Sequence, residues 1–299
     1  MAQVSLQEII TKIDKLPELP QVALQLNQLL DDPNVNANRL AEVIRVDPSF
    51  TSQVLRLCNS AAYGFNRKIS TVKEAVAILG FKVLKSMVYT IIAKITLDKA
   101  VPGYSLSKGD LWFNALTCAL YAKHIAQKER FHDPELAFTG GLLRDIGKIV
   151  LGDYVGANFA DIEKHAVEKQ IDFREAEQEV IGFSHTIVGA RIAEKWNLPS
   201  HLVEVIKHHH KPGQLGPMVD ANVVKLVNIV HLADAFTMMV GQGMGSDSLM
   251  YSLDEAALQK CGIPLNEEKM AQYMGELVDL NPLVQQIAST FNQGAGESP

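Results

Sequence analysis

Leu143-Arg144-Asp145-Ile146-Gly147-Lys148 reads as a metal-site motif in which one ligand has been exchanged. An Asp on a helix, preceded by His and followed by Ile-Gly-Lys, would offer an imidazole and a carboxylate to a divalent ion. Here the residue before Asp145 is Arg144. A guanidinium has five donors, no acceptor and a permanent charge, so it cannot ligate a cation. The rest of the chain decides whether a metal still sits at this place or an arginine has taken it over.

Outward from this stretch the pattern is helical almost throughout. Gly140-Gly141 before the motif and Gly147 within it permit close backbone packing. Apolar periodicity predicts helices near 110–130, 134–153, 157–170, 173–182, 185–197, 199–210, 220–241, 254–261, 266–278 and 282–293. In the first hundred residues, Ser5-Leu6-Gln7-Glu8 is a capping box with Val4 and Ile9 placed to staple it, and Thr71-Val72-Lys73-Glu74 is a second one. Val22, Leu26, Leu29 and Leu30 follow Pro20 at helical spacing, and Asp31-Asp32-Pro33 ends that segment. Asn36 and Asp47-Pro48 open two more helices, and Gly80 supplies a left-handed stop before a long helix from Lys82 to Leu97. No run alternates with period two over enough residues to demand a strand. Asp98 to Gly109 has turn chemistry without an apolar stripe and is the candidate boundary. The predicted division is 1–100, 101–212 and 213–299, with a disordered tail over 293–299.

Composition narrows the function classes. A chain of 299 residues with 47% hydrophobic and 21% charged content can bury a substantial core and reads as a soluble globular protein. The apolar run Met87 to Ala93 is broken by Lys85 and Lys94, too short to span a bilayer, so no membrane partner is expected. Met1 to Ser5 lack the basic start and apolar run of a signal peptide. Cys58, Cys118 and Cys261 are odd in number and widely spaced, which fits a reducing cytoplasm and neither a disulfide framework nor a thiolate zinc site. A net charge of -6 argues against broad nucleic-acid affinity.

Six of the nine histidines, His185, His201, His208, His209, His210 and His231, crowd into one region, with Asp234 close behind. On the helix after Ser184, positions 185, 188, 189, 192, 193 and 196 share an inward face, so His185 points into the interior, as a ligand or as a core histidine with one backbone partner. Lys207 to Lys211 sit before Pro212, which ends the helix there. Basic groups suit that helix terminus, but a fraying terminus is also where tandem histidines can converge on one ion. His231 and Asp234 share a face among apolar neighbours, and a carboxylate in that position needs a metal or an arginine as partner.

Leu16-Pro17-Glu18-Leu19-Pro20, Asp47-Pro48, Cys58-Asn59-Ser60-Ala61-Ala62-Tyr63 and Ala75-Val76-Ala77-Ile78-Leu79-Gly80 resemble the amino-terminal half of the HDOD family. Gly141 to Lys148, Trp196-Asn197-Leu198-Pro199 and His209-His210 resemble its later half, so the likeness covers residues 12–212. It implies an all-α fold, a multi-helix HD-domain-like bundle with an amino-terminal helical subdomain, related to metal-dependent phosphohydrolases but generally regulatory. Two-metal relatives use ligands in the order His, His-Asp, His, His-His, Asp. Laid along this chain, these fall at Asn114, Arg144-Asp145, His185, His209-His210 and Asp234. The imidazoles at Asn114 and Arg144 are missing, and in the relatives those two mostly serve one metal together with the last Asp. Asp145, His185, His209 and His210 mostly serve the other.

One half-site is thus dismantled and the other keeps its donors. Arg144 is expected to put a fixed charge where a metal was and to pair with Asp234 or Asp145. The remaining three imidazoles and one carboxylate suit one zinc, iron, nickel or manganese ion, the competing outcome being a metal-free site wired by hydrogen bonds. The leading functional reading is a cytoplasmic signalling module that works through protein or small-ligand contacts rather than turnover. Its alternative is a mononuclear metal-dependent phosphohydrolase, which the loss of the His before Asp145 disfavours. Arg144 and Lys148 are candidates to hold a phosphate or nucleotide. A third class, a DNA-binding regulator, rests on Asn36 to Ala62 with Arg39, Arg45, Arg56, Arg67 and Lys68, interrupted by Glu42 and Asp47.

Overall fold

The computed structural model describes residues 6–15, 22, 25, 26, 29, 36–65, 67–241, 243, 245–247 and 251–292. The Val4 and Ser5 part of the first capping box, the Leu16-to-Pro20 motif, Leu30 to Pro33 and the tail 293–299 lie outside these residues. Local chemistry places the amino-terminal helices where the caps predict. After α1 (Leu6–Asp14), the Asn36 side chain accepts from the Arg39 N–H and opens α2 (Ala37–Arg45). Asp47 accepts from the Phe50 N–H, with Pro48 at the first helical position of α3 (Pro48–Cys58). Thr71 accepts from the Glu74 N–H, and Glu74 reaches back to the Ser70 N–H, opening α4 (Val72–Leu97). Gly80 interrupts α4 with φ 79° and ψ 168°, a backbone conformation that only glycine adopts freely.

Asp98 to Gly109 is turn structure, as its composition predicts, yet Tyr104 within it is fully buried. Then follow α5 (Asp110–Lys128), α6 (Pro134–Leu143), α7 (Lys148–Lys169), α8 (Phe173–Ile181), α9 (His185–Lys195), α10 (Ser200–His208) and α11 (Ala221–Val240). The chain continues through α12 (Glu255–Lys260), α13 (Glu267–Val278) and α14 (Asn281–Asn292). Among the described residues no strand forms beyond a single antiparallel bridge, Val101 to Leu106. The fold is all-α.

One expectation needs correction. The predicted helices 134–153 and 157–170 divide elsewhere: the first stops at Leu143, and Lys148–Lys169 runs unbroken through residues 153–157. The break falls on the motif itself, where the Ile146 and Lys148 N–H groups make tight bonds to the Leu143 and Asp145 carbonyls. Gly147 explains the position. A Cβ there would lie 1.9 Å from the His185 carbonyl oxygen, so the turn abuts the first residue of α9 with no room for a side chain. Apolar periodicity does not register a break that is imposed from another helix.

α5 packs against α6 and α11, while α7 packs against α8 and the turn at Pro102–Tyr104. α5 and α11 are buried on most of their circumference, from Leu111 to Ala126 and from Leu226 to Thr237. α4 and α11 are long and apolar enough to cross a bilayer by composition, but 56% and 61% of their apolar windows are buried inside the protein. They are core helices of this fold. α2 and α3 turn Leu40, Ile44, Val54 and Leu57 inward, against α4. The last helix, α14, returns to α5 and α3, while α1 packs against α7 and α9.

Candidate metal centre

Five elements converge on one buried point. α5 contributes Asn114, the α6–α7 turn contributes Arg144 and Asp145, α9 begins with His185, α10 ends into His209-His210, and α11 carries Asp234. Ser184 caps α9 through the Ile187 N–H and places His185 at the first helical position, facing inward and fully buried. α10 stops at His208 before Pro212, as the sequence predicts, and the next two residues turn their rings into the core. His208 instead stays at the edge, 3.4 Å from Glu204.

Around Arg144 every direction is taken by protein. Its Nε donates to Asp234 Oδ1 at 2.6 Å, Nη1 to the Gly141 carbonyl at 2.9 Å, and Nη2 to Asn114 Oδ1, with Asp145 Oδ2 at 3.2 Å. The side chain is 1% exposed. Burial works against its charge, yet Asp234 and Asp145 hold the guanidinium pKa above its ordinary value. The two positions where the resemblance predicts lost imidazoles are therefore hydrogen-bonded to each other, and the guanidinium pairs with both candidate carboxylates rather than one.

The other side of Asp145 is different. One ligand atom each from Asp145, His185, His209 and His210 can be chosen so that all lie within 4.8 Å of one another. His185 Nδ1 is 2.7 Å from Glu177 Oε2, which leaves Nε2 facing the cluster. His209 Nδ1 donates to the Ile206 carbonyl at 2.9 Å, and its Nε2 is buried without a partner. Asp145 Oδ1 also makes no hydrogen bond, with Lys148 Nζ at 3.2 Å, His185 Nε2 at 3.6 Å and His209 Nε2 at 3.8 Å. His185 Nε2 and His210 Nε2 stand 3.1 Å apart. Burial pushes the His209 and His210 pKa values well down, so both are neutral with a lone pair available. Burial alone would raise Asp145, but Lys148 and Arg144 pull it well below the usual carboxylate range.

These residues fit a divalent cation on three counts. Two donor atoms are buried without a hydrogen bond, His209 Nε2 with no partner and Asp145 Oδ1 with only the Lys148 ion pair, which is costly unless something binds them. The histidines are fixed through their other nitrogen or ring face, His210 by a Tyr251 ring stacked 3.8 Å away. At the cluster the buried formal charges are Arg144 and Lys148 against Asp145, Glu177, Asp234 and Asp247, an excess of two negatives that one divalent ion would balance; the other buried carboxylate, Asp172, pairs with Lys211.

Sequence reasoning missed Glu177, Tyr104, Asp247 and Tyr251. Glu177 accepts from the His185 N–H at 3.0 Å and the Tyr104 hydroxyl at 2.5 Å. A signal was available: Phe173, Ala176, Glu177 and Ile181 share one helical face, and a carboxylate on an otherwise buried apolar stripe needs a partner. Asp247 receives Lys148 at 2.8 Å and the Tyr251 hydroxyl at 2.8 Å, from a connecting segment without periodicity. His231, grouped with Asp234 on the sequence, does other work. Its Nδ1 donates to the His209 carbonyl at 2.6 Å and its Nε2 accepts from the Asp254 N–H at 2.8 Å. The space between Arg144, Lys148 and Tyr251 amounts to about 20 Å³.

Comparison with known proteins agrees with this architecture. A solved HDOD domain protein of unknown function from Geobacter sulfurreducens is 26% identical with a TM-score of 0.72, covering 95% of each chain. A Shewanella amazonensis SB2B protein provisionally named a phosphohydrolase is 23% identical with a TM-score of 0.70, covering 95% of this chain and 97% of its own. A Marinobacter aquaeolei VT8 protein provisionally named for signal transduction is 22% identical with a TM-score of 0.71, covering 96% of this chain and 65% of its own. An uncharacterized protein of Treponema pallidum (strain Nichols) is 24% identical over 218 residues, 71% of this chain, and the chain spans 41% of that curated relative's length. Residues 16–212 match the HDOD domain. With the helical frame, the motif and that match in agreement, the chain belongs to the HDOD family.

Proposed function

We propose that this chain is a cytoplasmic HDOD regulatory module that acts by binding a signalling protein, with at most one divalent ion held by Asp145, His185, His209 and His210. The observation that carries this reading is the Arg144 guanidinium, bonded to Asn114, Gly141 and Asp234 and paired with Asp145 where a second ion would sit. Two-metal phosphoryl chemistry needs one ion to generate the nucleophile and another to clamp the reacting oxygens. A cation saturated by protein does neither. Lys148 and Arg144 are likewise engaged by buried carboxylates, which disfavours them as phosphate holders.

Three imidazoles and a carboxylate suit zinc, iron, nickel or manganese. When bound, such an ion would supply a cross-link between the α6–α7 turn, the start of α9 and the end of α10. The free cysteines, two of them buried, are in keeping with a reducing compartment. The competing reading, a mononuclear phosphohydrolase, draws on the four retained donors and on the provisional name of the Shewanella amazonensis relative. Elemental analysis of the purified protein and hydrolysis assays on phosphodiesters and nucleotides with added manganese separate the two. The regulatory reading expects at most one ion per chain and no turnover. Turnover abolished by Asp145→Ala overturns it.

A further inference from the structure

We infer that the cleft between α3, the Lys68–Ser70 segment and α14 is a binding site for a small phosphate ester. It is an open cleft of about 790 Å³, the scale of a small-molecule site, and lies apart from the buried histidine cluster. Its charge is anomalous for this protein. Arg56 and Lys68 line it and no carboxylate does, although the chain carries a net charge of -6. Neither cation makes an ion pair or hydrogen bond among the described residues; Arg56 is half-buried and Lys68 exposed. A planar guanidinium and an ammonium on side chains that line one cleft can together receive a phosphate group.

The backbone that presents Lys68 is held in place by the Cys58-to-Tyr63 motif, which the metal centre does not use. Asn59 Oδ1 accepts from the Ile69 N–H at 2.7 Å, and Asn59 Nδ2 donates to the Ile69 carbonyl at 2.7 Å and to the Leu55 carbonyl at 2.8 Å. One side chain therefore ties α3 to the residue after Lys68, so the cation's backbone is set before any ligand arrives. On the opposite wall, Ser289 and Thr290 donate their hydroxyls to the Gln286 carbonyl, which leaves their oxygens as acceptors toward the cleft. Acceptors opposite cations suit a ligand with hydroxyls at one end and phosphate at the other. No aromatic side chain lines the walls, so nothing there can stack a base, which disfavours a single nucleic-acid strand.

Calorimetric titration of the full chain with ribose 5-phosphate tests the assignment, with inorganic phosphate and duplex DNA as competitors. Saturable binding is expected, weakened by roughly tenfold or more in Arg56→Ala and in Lys68→Ala, each removing a charge-assisted contact. Inorganic phosphate should compete but bind more weakly, since it reaches only the cations. Lys68 is exposed, so Lys68→Ala and Lys68→Glu keep the test valid if Arg56→Ala fails to fold. Absence of saturable binding, or binding unchanged in these variants, overturns the inference. Duplex DNA binding that is tighter than ribose 5-phosphate and lost in the same variants also overturns it.

Discussion

Asp145 stands between two neighbourhoods of one helical core that are satisfied in different ways. Toward Asn114 and Asp234, a guanidinium fills the space and every polar atom of the arginine has a protein partner. Toward His185, His209 and His210, the donors converge and two of them make no hydrogen bond, Asp145 Oδ1 being held only by its ion pair to Lys148. An arginine can replace an ion only where its fork meets acceptors at fixed places, and Asp234, Asn114 and the Gly141 carbonyl provide them. The imidazole side offers lone pairs, not charges, and only a cation can satisfy those together. Loss of one half-site therefore need not dismantle the other.

The largest effect expected from breaking this contrast is at Arg144. Arg144→Ala leaves Asp234 buried without its main cation and Asp145 with Lys148 alone, and should destabilise the fold by about 3–5 kcal/mol in urea denaturation. Restoring the imidazoles with Arg144→His and Asn114→His should raise bound metal per chain, measured by elemental analysis. A folded double variant with unchanged metal would show that this side no longer retains the geometry of an ion site.

A second test separates His231 from the cluster it adjoins. Burial lowers its pKa from 6.5 to about 4, so below pH 6.5 the unfolded chain takes a proton that the folded chain excludes. Its contribution is therefore complete above that pH and declines as pH falls, by roughly 3 kcal/mol at pH 4. His231→Gln should flatten the stability profile between pH 7 and 4 while leaving metal content unchanged, because both ring nitrogens face backbone groups. A fall in bound metal would place His231 among the ligands.

The smallest effect is at Glu177, which orients His185 from behind. Glu177→Gln should weaken metal binding about 10- to 100-fold in competition with a chelator, with the fold intact by circular dichroism. Unchanged affinity would mean that packing, not the carboxylate, orients the ring.

Much of this was legible in the residues alone. The Asn36, Asp47 and Thr71 caps, the Gly80 stop and the end of α10 before Pro212 are local events governed by neighbouring residues, and each forms where its chemistry predicts. The replaced positions 114 and 144 were also legible, through the family's ligand order. The helix break at Arg144 to Gly147 was not, because its cause, the approach of the His185 carbonyl to Gly147, lies in another helix. Asp247 and Tyr251 escaped because a connecting segment has no period to betray which way a side chain turns.

By itself, then, the sequence determined an all-helical HDOD chain in which Asp145 keeps candidate histidine partners and its neighbouring His has become Arg144. The tertiary structure decided that Arg144 bonds to Asn114, 30 residues away, and to Asp234, 90 residues away. It also decided that Glu177 stands behind His185 and that little free volume remains between Arg144 and Tyr251. The physical reason is range. Caps and periodicity act within a turn or two of helix, whereas the partner of a buried charge is chosen by how whole helices pack.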